Sequence, residues 1–384
     1  MKIQYVMALL PLIAAGAPAE VEPQERTKTE TFAVEPGGLL KVRLSGGDVT
    51  IASWSKNEVL VSAAGRAELR EKDLTMTRSG NTVEVTGDLG PGDEGDMRLK
   101  ITVPSRFNVE LQTQYGDIDI GGPLQGTVEA TTSGGDIQLR ALSGNVMVRT
   151  SGGDIASENI EGTLKASTMG GDLRIGSVTG TLDLSTMGGD VTVDRVGREV
   201  SVSTSGGDVT LGDAGGSVRV STAGGDIRVT KAGGDVKLNT AGGDIIVKSA
   251  PGDVQVSTAG GDLNIAEATG PVSASTAGGD VTLSLVAGKI VQSKLSTAHG
   301  DVTVYVADGT KATIEARIRN SSSGNQDSSH YRIKSDFPMQ QTSEDEGRVT
   351  RATIRVNGGG EIVTIETMAG DIAVKRAGAG SKPK

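Results

Sequence analysis

The sequence predicts an all-β chain folded as a two-sheet parallel β-solenoid, or β-helix, with about 18 residues per coil and β-rich capping segments at both ends. Three observations carry this expectation. A Gly-Gly-Asp corner recurs in strict register, its aspartates falling at Asp136, Asp154, Asp172, Asp190, Asp208, Asp226, Asp244, Asp262 and Asp280, each 18 residues after the last. Apolar residues alternate at period 2 beside each corner, as in Val200, Val202 and Thr204 or in Ile227 and Val229, which places them on one face of a short strand. Each repeat also divides into halves of nine residues, leaving about five for a strand and four for a corner.

Within a repeat, counting from the aspartate, apolar residues stand at +1, +3 and +6, as Leu173, Ile175 and Val178 do, and a glycine usually follows at +8. Strands of successive coils lie about 4.8 Å apart, so the strict repeats should span on the order of 40 Å. The glycines are expected to give the corners positive φ and close approach, and the crossover rule favours a right-handed path.

The chain begins with Met1 to Ala19, which reads as a secretory signal peptide. Lys2 precedes the apolar run Val6 to Ile13, and Ala17-Pro18-Ala19 resembles a cleavage site. Residues 20–115 form a β-rich N-terminal cap with strand signals such as Leu40 to Leu44, Glu58 to Ser62 and Arg98 to Val103, the last ended by Pro104. Its expected task is to cover the bare edges of the first coil. Residues 116–305 carry the solenoid repeats. Residues 306–378 form β-rich C-terminal coils with a polar loop at 320–348, and 379–384 are a disordered tail.

Composition narrows the function. The formal net charge is −10 with no basic cluster, which disfavours nucleic acid and anionic membrane surfaces. Cysteine is absent, excluding disulfides and thiolate metal sites. Aromatic residues are 2% of the chain, leaving few stacking platforms for sugars or bases. Trp54 in the N-terminal segment reads as a core or cap anchor.

The order of the motifs resembles an exported bacterial family known as putative adhesins, a domain of otherwise unknown function. The resemblance rests on Ser45-Gly46-Gly47-Asp48 followed by Trp54, on Leu99 to Pro104, and on the central repeats. Ile333-Lys334-Ser335-Asp336-Phe337-Pro338, Asn357-Gly358-Gly359-Gly360 and Met368-Ala369-Gly370-Asp371 complete it. It implies a β-solenoid at the cell envelope and carries over no catalytic residues. The regularity of the central repeats departs from the family's more variable ones.

The aspartate column is the sharpest chemical feature. Carboxylates about 4.8 Å apart repel by roughly 0.9 kcal/mol per pair in water, so something offsets them. One account has each carboxylate accept backbone N–H groups of its corner, as in an Asx turn. The other makes Asp136 to Asp280 a calcium ladder, but the loop that wraps the ion in nine-residue calcium repeats is missing. The structural account is the expectation. A threonine column (Thr132, Thr150, Thr168, Thr186, Thr204, Thr222, Thr240, Thr258 and Thr276) also repeats. Parity places it on the core side, with hydroxyls bonding one another along the stack, which argues against an ice-binding face.

His299 and His330 lack companions at ligand spacing, and the acidic run Asp88 to Asp96 reads as a solvated turn. No grouping of acids and bases stands out along the sequence. The expectation is therefore a non-enzymatic, exported envelope protein, adhesive or structural. It would be monomeric and uninserted in membrane, without cofactor or nucleic acid, and its partner would be an unknown cell-surface protein or polysaccharide. The alternative is a carbohydrate-active or carbohydrate-binding β-helix. The site of export, periplasmic, cell-surface or secreted, stays open.

Overall fold

Alternating side chains and glycine corners produce strands without helices. The computed structural model describes residues 26–65, 74–88, 97–286, 291–319, 331–344 and 349–377, and among these the chain is all-β, with a large and mostly parallel sheet. The signal-peptide segment, most of the acidic run after Asp88, His330, most of the polar loop and the tail lie outside the described residues.

Two series of strands run through the centre. The shorter includes Leu182–Ser185, Val200–Ser203, Val218–Ser221 and Val236–Asn239. The longer includes Leu173–Val178, Val191–Val196, Val209–Ala214 and Ile227–Ala232. Each strand pairs in parallel with its equivalent 18 positions on, so that Leu182 faces Val200, Val200 faces Val218 and Val209 faces Ile227. One member of each series makes a layer, here called a rung. Most Val, Ile and Leu from Leu40 to Val374 point inward and are almost fully buried, while Leu60 and Ile246 are among those half-buried and Ile362 is exposed.

The longer strand changes phase midway. Its apolar residues at +1, +3 and +6 are buried while those at +4 and +5 both face outward, as in the buried and exposed pattern of Val191–Val196. The +4 residue also drops out of the pairing register: Ile175 and Ser177 are paired with Val193 and Arg195, and Gly176 is not paired. An extra residue of this kind bends a strand as a bulge does.

The ends of the stack are built out of sequence order. At the N-terminal end, Leu39–Leu44 and Asp48–Trp54 lie between the rung of Thr82–Gly87 with Arg98–Pro104 and the rung of Asn108–Thr113 with Ile118–Ile120. At the C-terminal end, Ile362–Ala369 and Ile372–Arg376 lie between Ser293–His299 with Val302–Val306 and Ala312–Arg319 with Ile333–Ser335. Beyond these rungs the pairing turns antiparallel. Leu74–Ser79, Glu58–Gly65 and Arg26–Ala33 extend one end, and Val349–Val356 and Met339–Glu344 extend the other.

The corner glycines meet the expectation in part, supplying close approach but not positive φ at the Gly-Gly-Asp corner. None of the Gly-Gly pairs before Asp136 to Asp280 has positive φ, whereas Gly144 and Gly162, at the opposite corner, have φ 136° and 143°. What the second glycine of each pair supplies is proximity. A β-carbon on Gly207 would overlap the carbonyl oxygen of Gly189 in the rung below, while one on Gly206 meets nothing closer than 3.8 Å. Gly207→Ala should therefore destabilise by about 2 kcal/mol or more through overpacking against backbone. Gly206→Ala, one residue away, should leave stability unchanged or raise it by up to about 1 kcal/mol. Thermal unfolding of the two variants beside the parent protein measures both.

Candidate functional site

The Gly-Gly-Asp corner is the first place to look for chemistry, and its polar groups are engaged inside the protein. The N–H of Asp226 donates to Oδ1 of Asp208 at 2.8 Å, and the N–H of Asp244 to Oδ1 of Asp226 at the same distance. The same bond joins every strict rung from Asp136 to Asp280. It also reaches Asp48 and Asp117 below and Asp301 and Asp371 above, with donor–acceptor distances between 2.7 and 3.0 Å. Thirteen aspartates thus form one column, including pairs as distant in sequence as Asp301 and Asp371. Each carboxylate accepts from the next rung, not from its own corner as an Asx turn would. The N–H dipole at Oδ1 opposes the repulsion between neighbours.

The threonine column lies beside it. Thr222 Oγ1 donates to the carbonyl of Gly207 at 3.2 Å and accepts the N–H of Gly225 at 3.3 Å. Equivalent bonds run from Thr132 to Thr276, and all these threonines are buried. The parity reading is thus right about where they face. It is wrong about their partners: the hydroxyls bond glycine backbone and not one another. Threonine suits the position because one hydroxyl serves as donor and acceptor while the methyl packs.

Cations meet the aspartate column at a few rungs. Arg174 bridges Oδ2 of Asp154 and Asp172 at 3.0 and 2.7 Å, Arg228 holds Asp226, and Lys334 holds Asp371. Among the described residues no group of three or more His, Cys, Asp or Glu is arranged to hold a metal ion. His299 is exposed at a strand end. Trp54 is half-buried, with its Nε1 donating to the Glu58 carbonyl at 2.7 Å and Lys56 over its ring at 4.7 Å, so it clamps the turn between two strands.

A groove of about 580 Å³ lies elsewhere, along the outer side of the bend in the longer strands. Gln138, Ala156, Arg174 and Thr192 supply one wall from the +2 column; Arg140, Glu158, Gly176 and Asp194 supply the other from the +4 column. Arg140 is paired with Asp119, and Arg174 with the two ladder aspartates. Glu158 and Asp194 are exposed and have no ion pair or hydrogen bond among the described residues. Ser157, on the floor, is 7% exposed and its hydroxyl has no partner, although the equivalent residues Leu139 and Ile175 are aliphatic and buried. This grouping of acids and arginines is the one sequence reading missed. The signal was present at 18-residue spacing in Arg140, Glu158, Gly176 and Asp194, but only as a column read across repeats.

The arrangement of repeat, bend and capped ends can now be set beside known proteins. The model of the Toastrack DUF4097 family matches residues 39–230 and 176–337, together more than half of the chain. The chain belongs to the Toastrack DUF4097 family. A putative adhesin from Parabacteroides merdae is 13% identical with a TM-score of 0.33, covering 65% of this chain and 96% of its own. A putative adhesin from Bacteroides fragilis is 10% identical with a TM-score of 0.20, covering 92% and 99%. A putative lipid binding protein from Parabacteroides distasonis is 10% identical with a TM-score of 0.22, covering 91% and 96%. At such scores the superpositions carry no functional argument. Comparison with curated proteins finds no match.

Three outcomes test the ladder of this Toastrack chain. Asp208→Ala removes the acceptor of the Asp226 N–H and should cost about 1 kcal/mol. Asp208→Asn keeps an oxygen there and should cost less than half as much, and calcium or a chelator should leave the parent's melting temperature unchanged. Calorimetric melts of the three proteins read all of this.

Acid should weaken the same column. The Asp154 carboxyl is held below the usual range, chiefly by the Asp172 N–H, with burial opposing and Arg174 assisting. At Asp371 burial pushes upward but is outweighed by Lys334 and by the N–H and charge of Arg332, so its pKa is also lowered. Groups depressed in the folded state stabilise it above their unfolded pKa of about 3.9 and lose that contribution as pH falls through the folded value. Stability from these two carboxylates should hold above about pH 5 and decline below about pH 4. In Arg174→Gln the Asp154 contribution should be smaller and its loss should be complete at a higher pH than in the parent, as urea unfolding between pH 2.5 and 7 would record.

Proposed function

We propose that this chain is a non-enzymatic, exported β-solenoid of the cell envelope, acting as an adhesive or structural binding protein. In this reading two sheets wind in coils of about 18 residues, supported by parallel partners that lie 18 positions apart. The export reading is supported by the character of Met1 to Ala19. The partner is a cell-surface protein or a polysaccharide, met by a single copy of the chain.

The observation that carries this proposal is the internal use of the repeat's polar groups. Aspartate Oδ1, threonine hydroxyl and glycine backbone all bond within the stack. Chemistry free to meet a partner therefore lies in the outward columns, which vary from rung to rung. One such column runs Lys165, Asp183, Ser201, Arg219, Lys237 and Gln255. Exposed Met169 and Met187, on the corner beside the ladder, add apolar surface. A varied surface on an invariant frame suits recognition.

The groove beside Arg174 favours a second reading, a carbohydrate-active or carbohydrate-binding protein, because acids and arginines gather on one face there. A glycan array together with a cell-wall pulldown separates the readings. Binding without turnover is the expected result. Binding with turnover would favour the second reading, and absence of binding would leave a purely structural role.

A further inference from the structure

Methionine is a residue of cores, where its flexible thioether fills irregular space, yet this chain puts most of its described methionines on the surface. Met76 and Met97 are buried, whereas Met147, Met169, Met187, Met339 and Met368 are between 40 and 60% exposed. Two of the exposed ones are neighbours. Met169 and Met187 follow the ladder threonines Thr168 and Thr186, and so occupy the same corner in successive rungs. The N–H of Met187 donates to the Met169 carbonyl at 3.2 Å, which ties the two backbones directly.

Packing does not ask for methionine at this corner. Ser151 and Ser205 hold the position in the flanking rungs, and alanine holds it from Ala223 to Ala277. A small residue closes the turn there, and two long apolar side chains reaching into water add nothing to the core. Departures of this kind from the folding rules gather at functional positions.

The chemistry of the pair selects a ligand. A thioether is a soft, neutral donor, and soft sulfur ligands select Cu(I), whereas hard cations such as Ca²⁺ take oxygens. The chain has no cysteine, so methionine is its sole source of sulfur ligands. Metal–sulfur bonds are about 2.3 Å long, so a linear sulfur–metal–sulfur unit spans about 4.6 Å. Rungs stand about 4.8 Å apart, and the rotatable bonds of methionine let each sulfur turn to an ion without moving the backbone. Met368 supplies the contrast. It also follows a ladder threonine, Thr367, but the rung below has Ala298 in place of a second thioether.

We propose that Met169 and Met187 bind one Cu(I) ion between their sulfur atoms, at a site separate from the aspartate ladder and from the groove. Neither the export of the protein nor its adhesive role is required for this. Titration calorimetry of the full chain with Ag(I) in chloride-free buffer tests it, silver standing in for an ion of the same charge and softness. Anaerobic competition for Cu(I) against a chromophoric chelator repeats the test with copper itself. One tight site is expected, and its Kd should rise at least about tenfold in Met169→Leu and in Met187→Leu. The double variant should bind no more weakly than either single one, since each loss breaks the two-ligand unit. Met368→Leu and Met147→Leu should leave the affinity unchanged, and excess Ca²⁺ should not displace the ion. Leucine matches methionine closely in volume, so all four single variants should melt with the parent, which shows that any lost binding is not lost folding. Absence of a tight site in the parent, unchanged affinity in Met169→Leu or Met187→Leu, or an equal loss in Met368→Leu would overturn the proposal.

Discussion

The rungs approach so closely at one corner that a single backbone carbonyl decides what residue can stand above it. At the second glycine of each pair the chain passes over the carbonyl oxygen of the equivalent glycine below, with no space for a β-carbon. The rest of the corner follows from that proximity. The same carbonyl receives the threonine hydroxyl of the next rung, and the neighbouring aspartate comes within reach of the next aspartate's N–H. Burying backbone polar groups is tolerable only when each finds a partner, and here side chain and backbone supply them in a fixed pattern. Glycine, aspartate and threonine therefore recur together as parts of one contact.

This explains what could be read from the sequence and what could not. Period-2 alternation located the strands, and the parity of Thr132 to Thr276 placed them inside, because both follow from local geometry. The partners of those threonines were not legible, since the accepting carbonyl belongs to another repeat. The aspartate bonds likewise join rungs, so an Asx turn was the natural local reading. The out-of-order rungs at the two ends were hidden for a stronger reason. Pairings such as Asp48 with Arg98 or Val302 with Ile372 depend on which distant segment wins a place beside the stack, and no periodicity announces it.

The groove illustrates a different limit. Each of its residues looks ordinary along the chain: an arginine, a glutamate, a glycine and an aspartate among many. Their relation appears only when the bend at +4 removes these positions from the ladder and lines them up on one wall. The phase break was visible as the step from +3 to +6 in the apolar pattern, yet its effect on the outer surface requires the folded chain. Ser157 is the exception that sequence could have shown. It is a polar residue at a position that is aliphatic in the adjoining repeats, and such substitutions mark places where packing is not the sole constraint.

The tucked ends have a mechanical consequence. In a simple stack the first and last segments of the chain are also the outermost layers, so tension on either terminus would peel them away one at a time. Here the first described strand, Arg26–Ala33, is an outer strand, but Leu39–Leu44 with Asp48–Trp54 behind it, and Ile362–Ala369 with Ile372–Arg376 at the other end, are each clamped between two other layers. A pull transmitted to them loads hydrogen bonds on both sides together, in shear along the strands instead of one bond at a time. A protein tethered at one end and gripped along its length would resist rupture as a block, a property that its repeat alone would not confer.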